Sequence, residues 1–422
     1  MHLSSICGRI RPLCRGVTGS RASQLGRRVS TTHGLRGHSA SRTAVGFVKP
    51  THLIPLHLTS ISQRRAHTLE SPSSTAIPEA YLPPTTGFLS RLPASWIPYG
   101  ELMRLDKPAG TIYLFFPCLF STLLAAPLAT PMASPLSVLG TTALFFSGAL
   151  IMRGAGCSIN DLWDRDLDPK VTRTRLRPIA RGALTPFRAF AWTGAQLLAG
   201  LGILLQFPSA CLYYGIPSLA FVATYPLAKR VTYYPQFVLG LTFSWGAMMG
   251  FPALGVDLLA ADAGAVRAAA TLLYASNVAW TVLYDMIYAH MDVRDDANAG
   301  IKSIALKHGA ETKKVLTGLA VVQIGLLAGA GIATGAGPAF FIGSCGGAAL
   351  TLGYMIKKVN LKSVKDCWWW FVNGCWITGG VISLGLGADY LIQYLADDGE
   401  KGSIELKAER ELTYRVTKAV DV

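Results

Sequence analysis

Asn160, Asp164 and Asp168 stand four residues apart in the run Asn160-Asp161-Leu162-Trp163-Asp164-Arg165-Asp166-Leu167-Asp168. In a helix each such step rises about 6 Å and turns about 40° past a full turn. One amide and two carboxylates therefore share a face, and Arg153, seven residues before Asn160, projects from nearly the same face. Asp161 and Asp166 point elsewhere and read as solvated or helix-capping residues. A second acidic run spans Tyr284 to Asp296. Asp292 and Asp296 are again four apart, and Asp285 lies seven before Asp292. Each run is followed by a basic stretch, Arg177-Pro178-Ile179-Ala180-Arg181-Gly182 and Ile301-Lys302-Ser303-Ile304-Ala305-Leu306.

Carboxylates and an amide, without His or Cys, select a hard cation. Mg²⁺ takes few protein carboxylates and completes its shell with water and substrate phosphates. Two such clusters suit two or three Mg²⁺ clamping a diphosphate. Arg would grip that group in bidentate fashion and Lys would act as a point charge. Elements of strongly apolar character must carry these residues, so the diphosphate is expected to bear a lipid tail, as in a polyprenyl diphosphate.

The positioning elements read as membrane helices. A span needs about 20 mostly apolar residues. Nine candidates occur near 109–129, 136–158, 187–206, 208–225, 235–253, 268–289, 315–333, 338–356 and 367–394. The fold class is thus an all-α, polytopic membrane helix bundle of about nine transmembrane helices. The 128 residues from Asp164 to Asp292 suggest two pseudo-repeated four-helix halves plus one helix. If the halves face each other, four carboxylates converge at one end of a lipid-accessible cavity. An isolated Asp or Arg in a span costs about 2.5–3.5 kcal/mol on insertion scales, so such residues default to pairing or function. Loops on the side preceding the first span carry twenty Lys and Arg between residues 100 and 366, and the opposite inter-span loops carry one, Arg267. That asymmetry puts every basic loop on one face. Trp368-Trp369-Trp370 sits where an interfacial aromatic belt belongs.

The 422 residues are 51% hydrophobic and 15% charged, with a mean hydropathy of +0.36. Soluble domains run near a quarter charged, so the composition argues against a soluble globular enzyme. The net charge of +15 is not a nucleic-acid signal, because residues 1–69 hold ten Arg, one Lys and no acid. That tail is rich in Arg and Ser and lacks a long apolar core, which are the features of an organellar transit peptide. Gln63-Arg64-Arg65-Ala66-His67 is its expected processing neighbourhood. The expected organisation is therefore a mitochondrial transit peptide over 1–69, a Pro-rich linker and surface segment over 70–100, a transmembrane catalytic domain over 101–395, and a charged tail over 396–422. The eight Cys form no Cys-x-x-Cys pair, which argues against a zinc ribbon or a disulfide framework. Past the tail only His290 and His308 remain.

The stretch from Asn160 to Gly182 resembles the Asn-Asp-x-x-Asp-x-x-x-Asp signature of the UbiA-type intramembrane aromatic prenyltransferases, with Arg173-Thr174-Arg175-Leu176-Arg177-Pro178 as its basic continuation. Tyr284 through Ser303 is similar to the second signature of that family's 4-hydroxybenzoate polyprenyltransferase branch. Arg104-Leu105-Asp106-Lys107-Pro108 and Tyr225-Pro226-Leu227-Ala228-Lys229-Arg230 fit the same branch. The likeness covers about residues 95–395. It departs at Val293, where a basic residue is common, but Val293 is not a ligand position.

The resemblance implies transfer of a polyprenyl group from its diphosphate to the ring of 4-hydroxybenzoate, ortho to the hydroxyl, in ubiquinone synthesis. It implies Mg²⁺ held by Asn160, Asp164, Asp168, Asp292 and Asp296. By that likeness Arg177, Tyr225 and Lys229 hold the diphosphate, with Lys302 a reasonable further contact; Arg153 and Arg230 are the candidates for the benzoate carboxylate. Asp285 is open between orienting the phenol and supporting the second metal site. The setting implied is the mitochondrial inner membrane, with the site facing the matrix. Association with other enzymes of ubiquinone synthesis stays open. Three other readings weigh less. An ion-coupled transporter would carry its acids nearer mid-span. A CDP-alcohol-type phosphotransferase would open on Asp-Gly-x-x-Ala-Arg, which is absent. A haem O synthase-type farnesyltransferase shares the first signature only.

Overall fold

The computed structural model describes residues 81–172, 174–300 and 302–420, the last twenty as helical backbone alone. They belong to one compact unit, Ala76–Val422. The expected transit peptide and the first part of the linker lie outside the described residues. So do Arg173 and the side chains of Lys229 and Arg230.

Among the described residues there is no strand. The helices are α1 (Ile97–Leu102), α2 (Ala109–Ala125), α3 (Pro135–Trp163), α4 (Pro186–Leu204), α5 (Ala210–Val231), α6 (Pro235–Phe243), α7 (Gly246–Ala253), α8 (Gly264–Ala289), α9 (Val293–Ala299), α10 (Ile304–His308), α11 (Thr312–Thr334), α12 (Gly347–Lys358) and α13 (Val364–Val420). Local chemistry sets their starts. Ser134 caps α3 by accepting the Ser137 amide at 3.3 Å, and Thr185 caps α4 through the Arg188 amide at 3.3 Å. In both helices proline takes the first position, where a missing N–H costs nothing.

Seven of the described helical stretches are long and apolar enough to cross a bilayer. Two of the nine expected spans are not among them. The expected span at 235–253 is two short helices, α6 and α7, which break at Ser244 and Trp245. The span expected at 268–289 is a continuous helix, α8, but it is not among the seven. Its surroundings give the reason. It packs against α11, α6, α7, α13, α10 and α2, and Ser276, Asn277 and Thr281 are buried along it. A helix wrapped by protein does not need the apolarity that lipid demands.

The core joins α2, α7, α8, α11, α12 and α13 around Phe120, Phe251, Leu283, Met286, Leu316 and Leu352. Contact between α2 and α7 is close because Gly250 lacks a side chain. Its amide donates to Ser121 Oγ at 3.0 Å, and a Cβ there would run into the backbone of Ser121 and Thr122. α13 runs unbroken past residue 395, where the charged tail was expected to begin. α3 has 29 residues, so it is about 43 Å long. That exceeds the roughly 30 Å hydrocarbon layer, so α3 is longer than an upright span requires.

Candidate active site

α3 ends at Trp163, and Asp164 caps it. The i to i−4 spacing nevertheless persists past the end. The Asp164 amide donates to the Asn160 carbonyl at 2.9 Å, and the Asp168 amide donates to the Asp164 carbonyl at 2.8 Å. The four-residue face thus survives the helix terminus, with Asp168 opening a 3-10 turn, Asp168–Lys170. The second run is built alike. Asp285 lies in α8, Asp292 caps α9, and the Asp296 amide donates to the Asp292 carbonyl at 2.8 Å. Gly300, at φ 67°, closes α9 in the left-handed region, where glycine is the least strained residue.

Both runs line a single cavity of about 650 Å³. Of the twelve site residues expected from sequence, ten line it: Arg153, Asn160, Asp164, Asp168, Arg177, Tyr225, Asp285, Asp292, Asp296 and Lys302. The other two are Lys229 and Arg230, whose side chains lie outside the described residues.

Asp161 requires a correction. It is not solvated, being 0% exposed. Arg104 Nη2 donates to its two oxygens at 2.7 and 2.8 Å, and Arg177 Nη1 donates to Oδ1 at 3.0 Å. Arg177 Nη1 also reaches both oxygens of Asp168, each at 3.0 Å. The wedge between positions 160 and 164 faces protein rather than water, because the segment carrying Arg104 packs there. Asp166 is well exposed, as expected.

Burial pushes the Asp168 carboxyl above the usual carboxylate range, and the Arg177 guanidinium pulls it back part of the way. An outer layer steadies this group. Arg181 Nη2 donates to Glu101 Oε2 at 2.6 Å, Arg181 Cζ lies 3.7 Å from the Tyr81 ring centroid, and the Tyr81 hydroxyl donates to Glu101 Oε1 at 2.8 Å. Tyr81, expected in the linker, lines the cavity.

Deeper in, Arg153 lies against the Cys157 thiol and 6.0 Å from the Phe243 ring centroid. Its guanidinium rests on Gly110, where any Cβ would collide with it. Its Nε is buried and has no hydrogen-bond partner. An unmet donor on a buried cation calls for an anionic acceptor. Beside it stands an aromatic wall that sequence reasoning did not assemble. The Tyr113 and Tyr284 rings stack at 3.5 Å, Tyr288 and Phe371 meet at 4.6 Å, and the Tyr113 hydroxyl donates to the Phe371 carbonyl at 2.9 Å. The Trp run divides its roles. Trp368 lines the cavity, Trp369 is exposed as a belt residue would be, and Trp370 is buried.

Among the described residues no three of His, Cys, Asp and Glu are placed to hold a metal ion by themselves. The donors are oxygens from Asp and Asn on opposite runs, with arginine already balancing part of their charge. Such a set fits Mg²⁺, which relies on water and substrate phosphate for much of its shell.

An all-helical membrane bundle with an acid-lined, arginine-banked cavity at one end of its helices is an architecture for handling a lipid with an anionic head. Residues 114–378 match the UbiA prenyltransferase family. The chain is 46% identical over 310 residues to the protein named 4-hydroxybenzoate polyprenyltransferase, mitochondrial, of Saccharomyces cerevisiae, covering 72% of this chain and 80% of that one. It is 42% identical over 314 residues to the protein of the same name in Homo sapiens, covering 74% and 80%. The apo structure of a UbiA homologue from Aeropyrum pernix K1 shares its fold, with a TM-score of 0.52 at 22% identity, over 67% of this chain and 98% of that one. The chain belongs to the UbiA prenyltransferase family.

Proposed function

We propose that this protein transfers a polyprenyl group from polyprenyl diphosphate to 4-hydroxybenzoate, forming a carbon–carbon bond ortho to the hydroxyl and releasing diphosphate. The observation that carries the reading is the convergence of both acidic runs, Arg177 and the unmet Arg153 donor on one cavity. The names of the relatives in yeast and human supply the acceptor.

Asn160, Asp164 and Asp168 on one side and Asp292 and Asp296 on the other would hold Mg²⁺. When bound, Mg²⁺ supplies positive charge against the diphosphate as the allylic C–O bond breaks. Arg177, Tyr225, Lys229 and Lys302 bind the same diphosphate and fix its orientation. Lys302 Nζ donates to the Val231 carbonyl at 3.2 Å and lies 5.5 Å from the Tyr233 ring, which sets its charge at the cavity wall. Tyr113, Tyr284, Tyr288 and Phe371 keep water from the allylic cation. Arg153 and Arg230 take the benzoate carboxylate, which turns the ring carbon beside the hydroxyl toward the prenyl group. Asp285 orients the phenol or supports the second metal site. The ring proton leaves to a cavity carboxylate or to the released diphosphate.

The chain works in the mitochondrial inner membrane with the cavity toward the matrix. The basic tail, the mitochondrial names of the relatives and the one-sided distribution of Lys and Arg support this. The domain limits proposed are a transit peptide over 1–69, a linker over 70–100, a transmembrane domain over 101–395 and a charged tail over 396–422.

Membranes bearing the chain, given radiolabelled polyprenyl diphosphate and Mg²⁺, test the acceptor. Label should move into a carboxylated prenyl-phenol only when 4-hydroxybenzoate is present. Label moving into haem instead would assign the chain to the haem O synthase-type reaction and refute this reading.

A further inference from the structure

Asp161 has no part in the chemistry above, yet it is the most completely enclosed carboxylate of the cavity wall. Its side chain is 0% exposed. Arg177 Nη1 carries two hydrogens and faces three acceptor atoms, Asp161 Oδ1 and both oxygens of Asp168, each at 3.0 Å. One nitrogen is thus divided between two carboxylates of different standing. Asp168 opens to the cavity, where an ion can reach it. Asp161 offers no surface to substrate or ion.

We propose that Asp161 is a positioning residue that draws Arg177 off Asp168, leaving the Asp168 carboxylate available to a divalent cation while Arg177 stays in the wall to meet diphosphate. This rests on the assignment of Asp168 and Arg177 given above. A cation arriving at Asp168 must displace charge-assisted hydrogen bonds from Arg177. Without a second carboxylate, that exchange would strand a half-buried guanidinium with no counter-charge, which is strongly unfavourable. With Asp161 in place, Arg177 gives up one partner and keeps the other.

The tether needs its own anchor, and Arg104 supplies it. Arg104 Nη2 grips both Asp161 oxygens, and its Nη1 donates to the Glu101 carbonyl at 2.8 Å. Its backbone sits at φ 58°, a region that residues other than glycine rarely adopt. Such a conformation persists where surrounding contacts over-determine it. The line Glu101, Arg104, Asp161, Arg177, Asp168 thus runs from the segment before α2, through α3, to the loop after it.

Mn²⁺ alone serves as the probe, with free ion followed by electron paramagnetic resonance in the purified full chain. Asp168→Asn is expected to weaken Mn²⁺ binding. Unchanged binding in that variant would overturn the metal assignment, and the tether with it. Asp161→Asn is expected to weaken binding about tenfold or more, the scale of an outer-shell loss, because Arg177 then closes on Asp168. Weakened binding in Asp168→Asn with unaltered binding in Asp161→Asn would overturn the tether alone.

The double variant separates tethering from a general structural defect. Arg177→Gln should restore about tenfold in affinity to Asp161→Asn, while changing the wild-type background much less. Equal effects in the two backgrounds would overturn the proposal. Should Asp161→Asn not fold, Arg104→Gln tests the same tether through its anchor. It leaves Asp161 unanchored, so Mn²⁺ should bind more weakly than to wild type and Arg177→Gln should relieve that loss, whereas wild-type binding in Arg104→Gln would overturn the idea.

Discussion

Gly110→Ala should damage acceptor use while leaving the fold intact. A Cβ at position 110 would stand 2.6 Å from Arg153 Nη2 and 2.8 Å from Cζ, well inside van der Waals contact. The atoms it meets are the far end of a flexible side chain, so the guanidinium moves and the backbone does not. The required shift is roughly 1 Å, and a misplacement of that size can cost on the order of 10²-fold in rate. The independent scale agrees. A hydrogen bond to a charged group contributes about 1.5–3 kcal/mol, or roughly 10- to 150-fold at about 1.4 kcal/mol per tenfold. The expected result is a fall in kcat/KM for 4-hydroxybenzoate of about 100-fold. KM for the polyprenyl diphosphate should change much less, because the three atoms nearest the added methyl all belong to Arg153 and none to the groups assigned to the diphosphate. Steady-state kinetics with each substrate varied in turn would measure this. Wild-type kcat/KM for the benzoate, or an equal loss for both substrates, would refute the placement of Arg153 on the acceptor carboxylate.

Asp164→Asn and Asp292→Asn should each lower turnover by on the order of 10²–10³-fold, the scale of losing one group that stabilises developing charge, while the protein accumulates in membranes. Normal turnover in both would remove the two-sided clamp. EDTA should stop the reaction and Mg²⁺ should restore it; turnover that resists the chelator would contradict a metal role. Asp166→Asn should retain wild-type activity, because that carboxylate is exposed and lines no part of the cavity, and a large loss would show that the acidic run is not divided as described. Gly250→Ala should lower thermal stability in detergent by about 1–3 kcal/mol through overpacking, since the added methyl meets Ser121 Oγ at 2.5 Å and the adjoining α2 backbone.

The acidic runs were legible because their spacing is a local property. Steps of four residues fix a face whether or not the helix continues, and Asp168 stays on that face beyond the end of α3. Asp161 was misread for a tertiary reason. The sequence does not say that Arg104 and Arg177 meet it, nor that one Arg177 nitrogen joins it to Asp168. α8 illustrates the same limit for the fold. Its polar Ser276, Asn277 and Thr281 lower its hydropathy, and its enclosure by six other helices explains why it tolerates them. The break at Ser244 and Trp245 had no punctuation of its own, since neither residue is a helix breaker. The aromatic wall was hidden because its rings come from α2, α8 and α13, more than 250 residues apart in the case of Tyr113 and Phe371.

The most direct measurement is the product made by the purified chain in lipid vesicles supplied with 4-hydroxybenzoate, polyprenyl diphosphate and Mg²⁺. The account predicts a prenylated 4-hydroxybenzoate with a new carbon–carbon bond ortho to the hydroxyl, and one diphosphate released for each molecule formed. Diphosphate released with no prenylated benzoate, or a prenyl group joined through oxygen, would contradict it.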